Sequence, residues 1–96
     1  MALTASYFEN CNIKDFYESL LYSATKEDHY LDIMIKEPVE SGKYIDAKAL
    51  YNEWEASFNA ARQALEEKYG KVMRRQIIKM VESDLELIQM RKKIFG

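Results

Sequence analysis

The sequence predicts an all-α fold, a small helical bundle of about four helices. Apolar residues recur every three or four positions along most of the chain, and helix-capping signals precede several of these stretches. One proline and three glycines leave little material for the turns of a β-rich fold. At 96 residues, the chain predicts one domain over 1–96 that buries about 60–70% of its unfolded surface.

Composition and charge restrict the class of protein. Charged residues make up 31% and apolar residues 48%, a balance typical of folded soluble chains, and the net charge of −2 argues against a general nucleic-acid coat. Cys11 is the only cysteine, so an intrachain disulfide is excluded. The first residues lack the pattern of a secretory signal, and no apolar run approaches ~18 residues. We therefore expect a cytoplasmic protein, of its own cell or of a host cell.

The first 37 residues predict an N-terminal arm or first turn over 1–11, followed by a helical pair over 12–37. Asn12 precedes a stripe with helical spacing, which predicts a helix over 12–24. Thr25 to Asp28 resembles a capping box, so a second helix is expected over 26–37. That helix should end before Pro38, which disfavours helical geometry in the preceding residue.

A short strand is the alternative for the end of this region. Leu31, Ile33 and Ile35 alternate with less apolar neighbours, as the residues of a half-buried strand do. Because no second strand is evident to pair with it, the helix is favoured, and both interpretations stay open.

The middle of the chain predicts a loop over 38–45 and a long helix over 46–69. Pro38 to Lys43 carries the strongest loop signal, and Asp46 is a plausible N-cap. Trp54 and Phe58 lie on an apolar stripe about 100° wide, so they are expected in the core. The stripe comprises Ala47, Leu50, Tyr51, Trp54, Phe58, Ala61, Leu65 and Tyr69.

Gly70 divides the two long C-terminal helices or sits within one helix of nearly fifty residues. A glycine in the left-handed conformation commonly ends a helix, which predicts a break. A continuous helix would tolerate glycine at a cost of about 1 kcal/mol. The break is the preferred interpretation.

The last predicted helix, 71–95, carries more apolar surface than one side of a bundle can cover. Two neighbouring stripes span roughly 240° of its circumference, whereas an ordinary surface helix needs little more than ~100°. We expect the first stripe to face the domain and the second to face another chain. The first comprises Met73, Met80, Leu87, Met90 and Ile94; the second comprises Ile77, Ile78, Val81, Leu85, Ile88 and Phe95.

The charges beside these stripes predict an antiparallel homodimer. Basic residues come first along the polar arc and acidic residues second, so a two-fold pair is self-complementary. Lys79 would face Glu82 of a second copy, and Arg75 would face Glu86. The predicted partner or oligomer interface comprises Ile77, Val81, Leu85, Ile88, Phe95, Met73 and Met80. The alternative is a monomeric bundle with this helix at its centre.

A basic strip supplies the alternative function, nucleic-acid binding by an accessory protein. Residues three or four apart share a helix face, and each cation that contacts a phosphate releases counterions. Aromatic residues for base stacking are sparse in this region. The strip for an anionic partner comprises Lys68, Lys71, Arg74, Arg75 and Lys79.

The remaining signals indicate a protein without catalysis, cofactor or metal. His29 and Cys11 are the only residues of their types, whereas zinc needs about four nitrogen or sulfur ligands. No phosphate loop or nucleophile motif is present, and no carboxylate lies in an apolar segment. The sequence predicts non-catalytic protein–protein interaction by a small adaptor, scaffold or inhibitor that binds itself or a larger partner, not a membrane. Phage and mobile-element accessory proteins share this character, by analogy alone.

Overall fold

The computed structural model describes residues 8–96, and this part of the chain is all-helical. It contains three α-helices and no strand: α1 spans Ile13–Lys36, α2 spans Gly42–Tyr69 and α3 spans Lys71–Phe95. The predicted all-α class is confirmed. Residues 1–7, most of the predicted N-terminal arm, lie outside the described residues.

The helix α1 is one continuous helix where two were predicted. Its N-cap, Asn12, accepts a hydrogen bond from the backbone N–H of Asp15 at 2.9 Å, and the Asp15 carboxylate accepts one from the Asn12 N–H at 2.9 Å. At Thr25 the side-chain hydroxyl donates to the Leu21 carbonyl at 2.7 Å, one turn back within the helix. The threonine hydroxyl therefore bonds to the turn that precedes it, and the prediction of a new helix at this residue is wrong.

The residues between α1 and α2 form a shorter loop than the sequence predicts. The helix α1 continues to Lys36, so the strand alternative for residues 31–35 is excluded, and Glu37 is extended before Pro38. Ser41 then caps α2, since its Oγ accepts a hydrogen bond from the Tyr44 N–H at 3.1 Å. Asp46, the predicted N-cap, lies within α2, because Ser41 caps the helix more than one turn earlier.

Gly70 interrupts the helical conformation between α2 and α3, as predicted. Its N–H donates to the Glu66 carbonyl at 2.8 Å, and its own carbonyl accepts from the Arg74 N–H at 3.1 Å, so one residue ends one helix and begins the next. Its φ of 92° and ψ of 169° lie outside the expected left-handed helical region, in a region that is essentially restricted to glycine. The corner thus depends on the missing side chain.

The core lies where the N-terminal half of α1, the C-terminal half of α2 and the first half of α3 meet. Phe16 and Leu20 are fully buried, and Phe16 stacks on Phe8 and contacts the edge of Tyr69. Phe58 packs against this core, as expected, whereas Trp54 is half-buried in an edge contact with Tyr22. The buried apolar cluster comprises Phe8, Cys11, Phe16, Leu20, Ala24, Ala61, Leu65, Ile77 and Val81.

The helices run up, down and up in a flat arrangement. Ring contacts pair Phe16 with Tyr69 and Tyr22 with Trp54, which makes α1 and α2 antiparallel, and α3 lies against both. The described chain measures 41 × 30 × 18 Å. Residues 8–96 contain no fourth helix that could cover the outer side of α3.

Candidate interaction surface on the third helix

The two apolar stripes of α3 face opposite to the predicted directions. Ile77 and Val81, both from the stripe assigned to another chain, are 5% and 1% exposed in the core of the single chain. Leu85 and Ile78 pack against that core, and Ile88 is half-buried. The assignment of this stripe to a partner is therefore wrong, because Ile77 and Val81 pack in the buried cluster with residues of α1 and α2.

The outer face of α3 is formed by the other stripe. Met80 is 51%, Leu87 57%, Met90 54% and Ile94 67% exposed, and only Met73 of this stripe packs partly against the core. Phe95 is 83% exposed at the helix end. Around these apolar residues the face is completed by uncharged side chains. We define the outer face as Val72, Gln76, Met80, Ser83, Leu87, Met90 and Ile94, all exposed.

Polar contacts hold the inner side of α3 against α1. The Tyr17 hydroxyl donates to the Asp84 carboxylate, and this hydrogen bond is the largest of the causes that raise the pKa of Tyr17. Further along the helix, Gln89 Nε2 donates to Asp28 Oδ1 at 3.0 Å. These contacts fix the rotation of α3 about its axis, so the outer face keeps its direction towards solvent.

The predicted basic strip is divided by its contacts within the chain. Lys68 Nζ donates to the carbonyls of Cys11 at 2.5 Å and Glu9 at 3.3 Å, where it ties the end of α2 to the start of the described chain. Arg74 pairs with Glu66 at 3.3 Å. Lys71, Arg75 and Lys79 remain exposed on one face.

The structure adds Arg62 to the basic residues. It lines an open groove between α2 and α3 together with Arg74, Arg75 and Lys79, with Ile78 at the apolar wall and Glu82 also in the lining. Arg62 lies outside the periodic strip, and its proximity depends on the turn at Gly70, so no sequence pattern identified it. The groove can hold an anionic group, although Glu66 and Glu82 reduce its positive charge.

The half-buried carboxylate of Glu27 was not identified as unusual from the sequence. Burial raises the pKa of Glu27 from 4.5 to about 7, and the negative charge of Glu55 on α2 contributes in the same direction. Tyr51 lies in the same cluster, and its pKa is also raised, chiefly by burial. Glu27 follows Leu20 by seven residues, which is the core face of a continuous helix. The predicted break at Thr25 obscured this signal.

The raised pKa of Glu27 predicts that stability falls as the pH rises from 4.5 to about 7. In this range the folded chain retains a proton that the unfolded chain has lost, so the folded state binds more protons. Glu27→Gln should therefore stabilise the chain more at pH 8 than at pH 5, as measured by the urea midpoint. Glu53→Gln, an exposed site on α2, is the control. An equal gain for Glu27→Gln at both pH values would contradict this prediction.

Residues 8–96 contain neither a metal-binding cluster nor a membrane-spanning helix. No group of three or more His, Cys, Asp or Glu side chains in this range is arranged to hold a metal ion. Over the same range, none of the helices has the length and hydropathy required to span a bilayer. His29 makes an edge contact with Tyr30, with ring centres 4.9 Å apart. Cys11 is buried, which raises the pKa of its thiol.

Comparison with protein-family models, with curated proteins and with solved structures returns no match to this chain.

Proposed function

We propose that this chain is a non-catalytic protein–protein interaction protein and that the outer face of α3 is its binding surface. Such a protein works as a small adaptor, scaffold or inhibitor, in the cytoplasm of its own cell or of a host. The observation that carries the proposal is the outer face itself, an uncharged strip with five apolar side chains at least half exposed. Contiguous apolar surface of this kind marks interaction sites in small proteins.

The composition of the outer face suits a protein partner. Met80 and Met90 are unbranched and flexible, so they adapt to the shape of an opposing surface. Each fully buried apolar side chain contributes about 1.5–3 kcal/mol before the costs of association. Several such side chains in one row supply enough energy for a specific complex. A second copy of the chain, paired as an antiparallel homodimer, is part of this proposal.

The test compares two substitutions at equally exposed apolar residues. Leu87 on the outer face and Ile45 at the start of α2 are both 57% exposed. Immobilised wild-type chain and Ile45→Asp should retain the same protein from a host lysate, whereas Leu87→Asp should lose it. Retention by Leu87→Asp, with circular dichroism showing all three chains equally folded, would refute the outer face as the binding surface.

A nucleic-acid-binding accessory protein is the second candidate function. It is favoured by the groove in which Arg62 joins Arg75 and Lys79, since cations from two helices can contact neighbouring phosphates. Affinity for a duplex would then fall steeply with salt, and Arg62→Ala with Arg75→Ala would weaken it. Leu87→Asp would leave it nearly unchanged, which separates the two functions.

A further inference from the structure

We infer that the occupant of the outer face is a second copy of this chain, packed antiparallel against α3 in one register. This inference rests on the proposed function, because it names the partner of the same surface. It goes further by specifying the orientation, the residues that face each other and the charges that select the register.

The spacing of the outer face is that of a coiled-coil seam. From Gln76 onward its residues follow at steps of four, three, four, three and four, ending at Ile94. One step of four and one of three together make seven residues, the heptad repeat by which a helix keeps one seam towards a partner helix. All six positions are exposed and uncharged: Gln76, Met80, Ser83, Leu87, Met90 and Ile94. The seam therefore has the pattern required by another helix of equal length.

The sizes of the seam residues favour the antiparallel orientation. One column contains only large apolar residues, Met80, Leu87 and Ile94, and the other contains Gln76, Ser83 and Met90. A parallel pair places Ser83 opposite Ser83 and Gln76 opposite Gln76, which leaves a void and buries two amides. An antiparallel pair places Met80 opposite Ser83 and Leu87 opposite Gln76, so large residues meet small or polar ones.

The charges beside the seam select one register. Lys79 and Glu86 are both exposed on the same flank of the seam, one heptad apart. When Met80 lies opposite Ser83 of the second copy, Lys79 lies near Glu86 of that copy, and the two-fold axis repeats the pair. A shift of one heptad in either direction instead brings Lys79 near a lysine of the second copy, Lys79 or Lys93. Like charges in this position disfavour both alternatives.

The position of Asp84 on the other flank of the seam opposes a parallel pair. In that orientation Lys79 would need Asp84 of the second copy as its partner. Asp84 is half-buried and already accepts the hydrogen bond from Tyr17 of its own α1. The antiparallel pair leaves this hydrogen bond intact.

The first measurement is the mass in solution over a wide range of concentration, by sedimentation. The wild-type chain and Ile45→Asp should shift from 11.3 kDa to twice that mass as the concentration rises. Leu87→Asp should stay at 11.3 kDa, because two carboxylates would be buried in the seam of one dimer. A wild-type chain that stays monomeric throughout would overturn the inference.

The second measurement is a charge exchange. Lys79→Glu places an acidic residue of each copy beside Glu86 of the other copy. These two repulsive pairs should weaken the dimer by about tenfold. The double variant Lys79→Glu with Glu86→Lys restores opposite charges in the antiparallel register and should recover the affinity. Failure of the double variant to recover would overturn the register.

The third measurement distinguishes the two orientations by spin-label distances in a Cys11→Ala background. In the proposed register, Glu82 of one copy and Glu82 of the second copy are offset by one residue along the helix axis. Lys71 of one copy and Lys71 of the second copy are offset by 21 residues, about 32 Å at 1.5 Å per residue. A label at position 82 should therefore report a short distance and one at 71 a long distance. Equal short distances at both positions would indicate a parallel pair and contradict the inference.

The outcomes also separate this inference from the proposed function. A monomeric wild-type chain that captures a different protein, with loss of capture in Leu87→Asp, refutes the self-pairing and keeps the outer face as a binding surface. A dimer that persists in Leu87→Asp refutes the self-pairing through this face, and retention of the captured protein by the same variant refutes the outer face as a binding surface.

Discussion

Val81→Asp should abolish the folded state, whereas Met80→Asp, one residue earlier in the same helix, should leave it intact. Val81 is 1% exposed in the core, and Met80 is 51% exposed on the outer face. An unpaired carboxylate buried among apolar side chains costs several kcal/mol, which is comparable to the ~5–15 kcal/mol that stabilises a domain of this size. An exposed substitution changes stability by only about 0.5 kcal/mol.

Circular dichroism during urea denaturation measures this contrast. Val81→Asp should show no cooperative transition, and Met80→Asp should keep a midpoint close to that of the wild type. At the same time Met80→Asp should lose association, because the charge lies in the proposed seam. If Met80→Asp unfolds the chain and Val81→Asp does not, the rotation of α3 described here is wrong and the stripes face as the sequence predicted.

Phe16→Ala should remove about 3–5 kcal/mol of stability, a large part of the total for a small domain. Its side chain is fully buried, stacks on Phe8 with ring centres 5.7 Å apart, and meets the edge of Tyr69 at 6.1 Å. Removal of the ring leaves a cavity where α1, the end of α2 and the start of the described chain meet.

Tyr22→Ala is the matched aromatic control for this substitution. Tyr22 is 55% exposed and makes one edge contact with Trp54, so its removal should cost about 0.5–1.5 kcal/mol. Free energies of unfolding from urea titration compare the two variants. Equal losses in both would show that the centre of the core lies elsewhere.

The core and the outer face, on which these predictions rest, have separate roles in the chain. Residues 16 to 24 of α1 and the inner side of α3 supply stability, with Ile77 and Val81 buried between the other helices. The outer face supplies surface that this compact subunit leaves in contact with water. Substitutions on one side of α3 should therefore affect folding, and substitutions on the other should affect association.

The reversed rotation of α3 shows what limited the sequence-based prediction. Both stripes have the same period and similar hydrophobicity, so periodicity cannot distinguish the side that faces the domain. The inner side also contains two charged residues, Arg74 and Asp84. Each has a partner on another helix: Arg74 pairs with Glu66 on α2, and Asp84 accepts a hydrogen bond from Tyr17 on α1.

The sequence by itself determined the local features of this protein: the helical class, the cap at Asn12, the corner at Gly70 and the excess of apolar surface on the last helix. These depend on residues within about one turn of each other, through backbone hydrogen bonds, capping side chains and the permitted φ of glycine. The tertiary structure alone decided which stripe of α3 is buried, that Arg62 joins the basic groove, and that Glu27 loses water beside Glu55. These features depend on packing between residues far apart in the chain, where shape and desolvation, and not periodicity, select the arrangement.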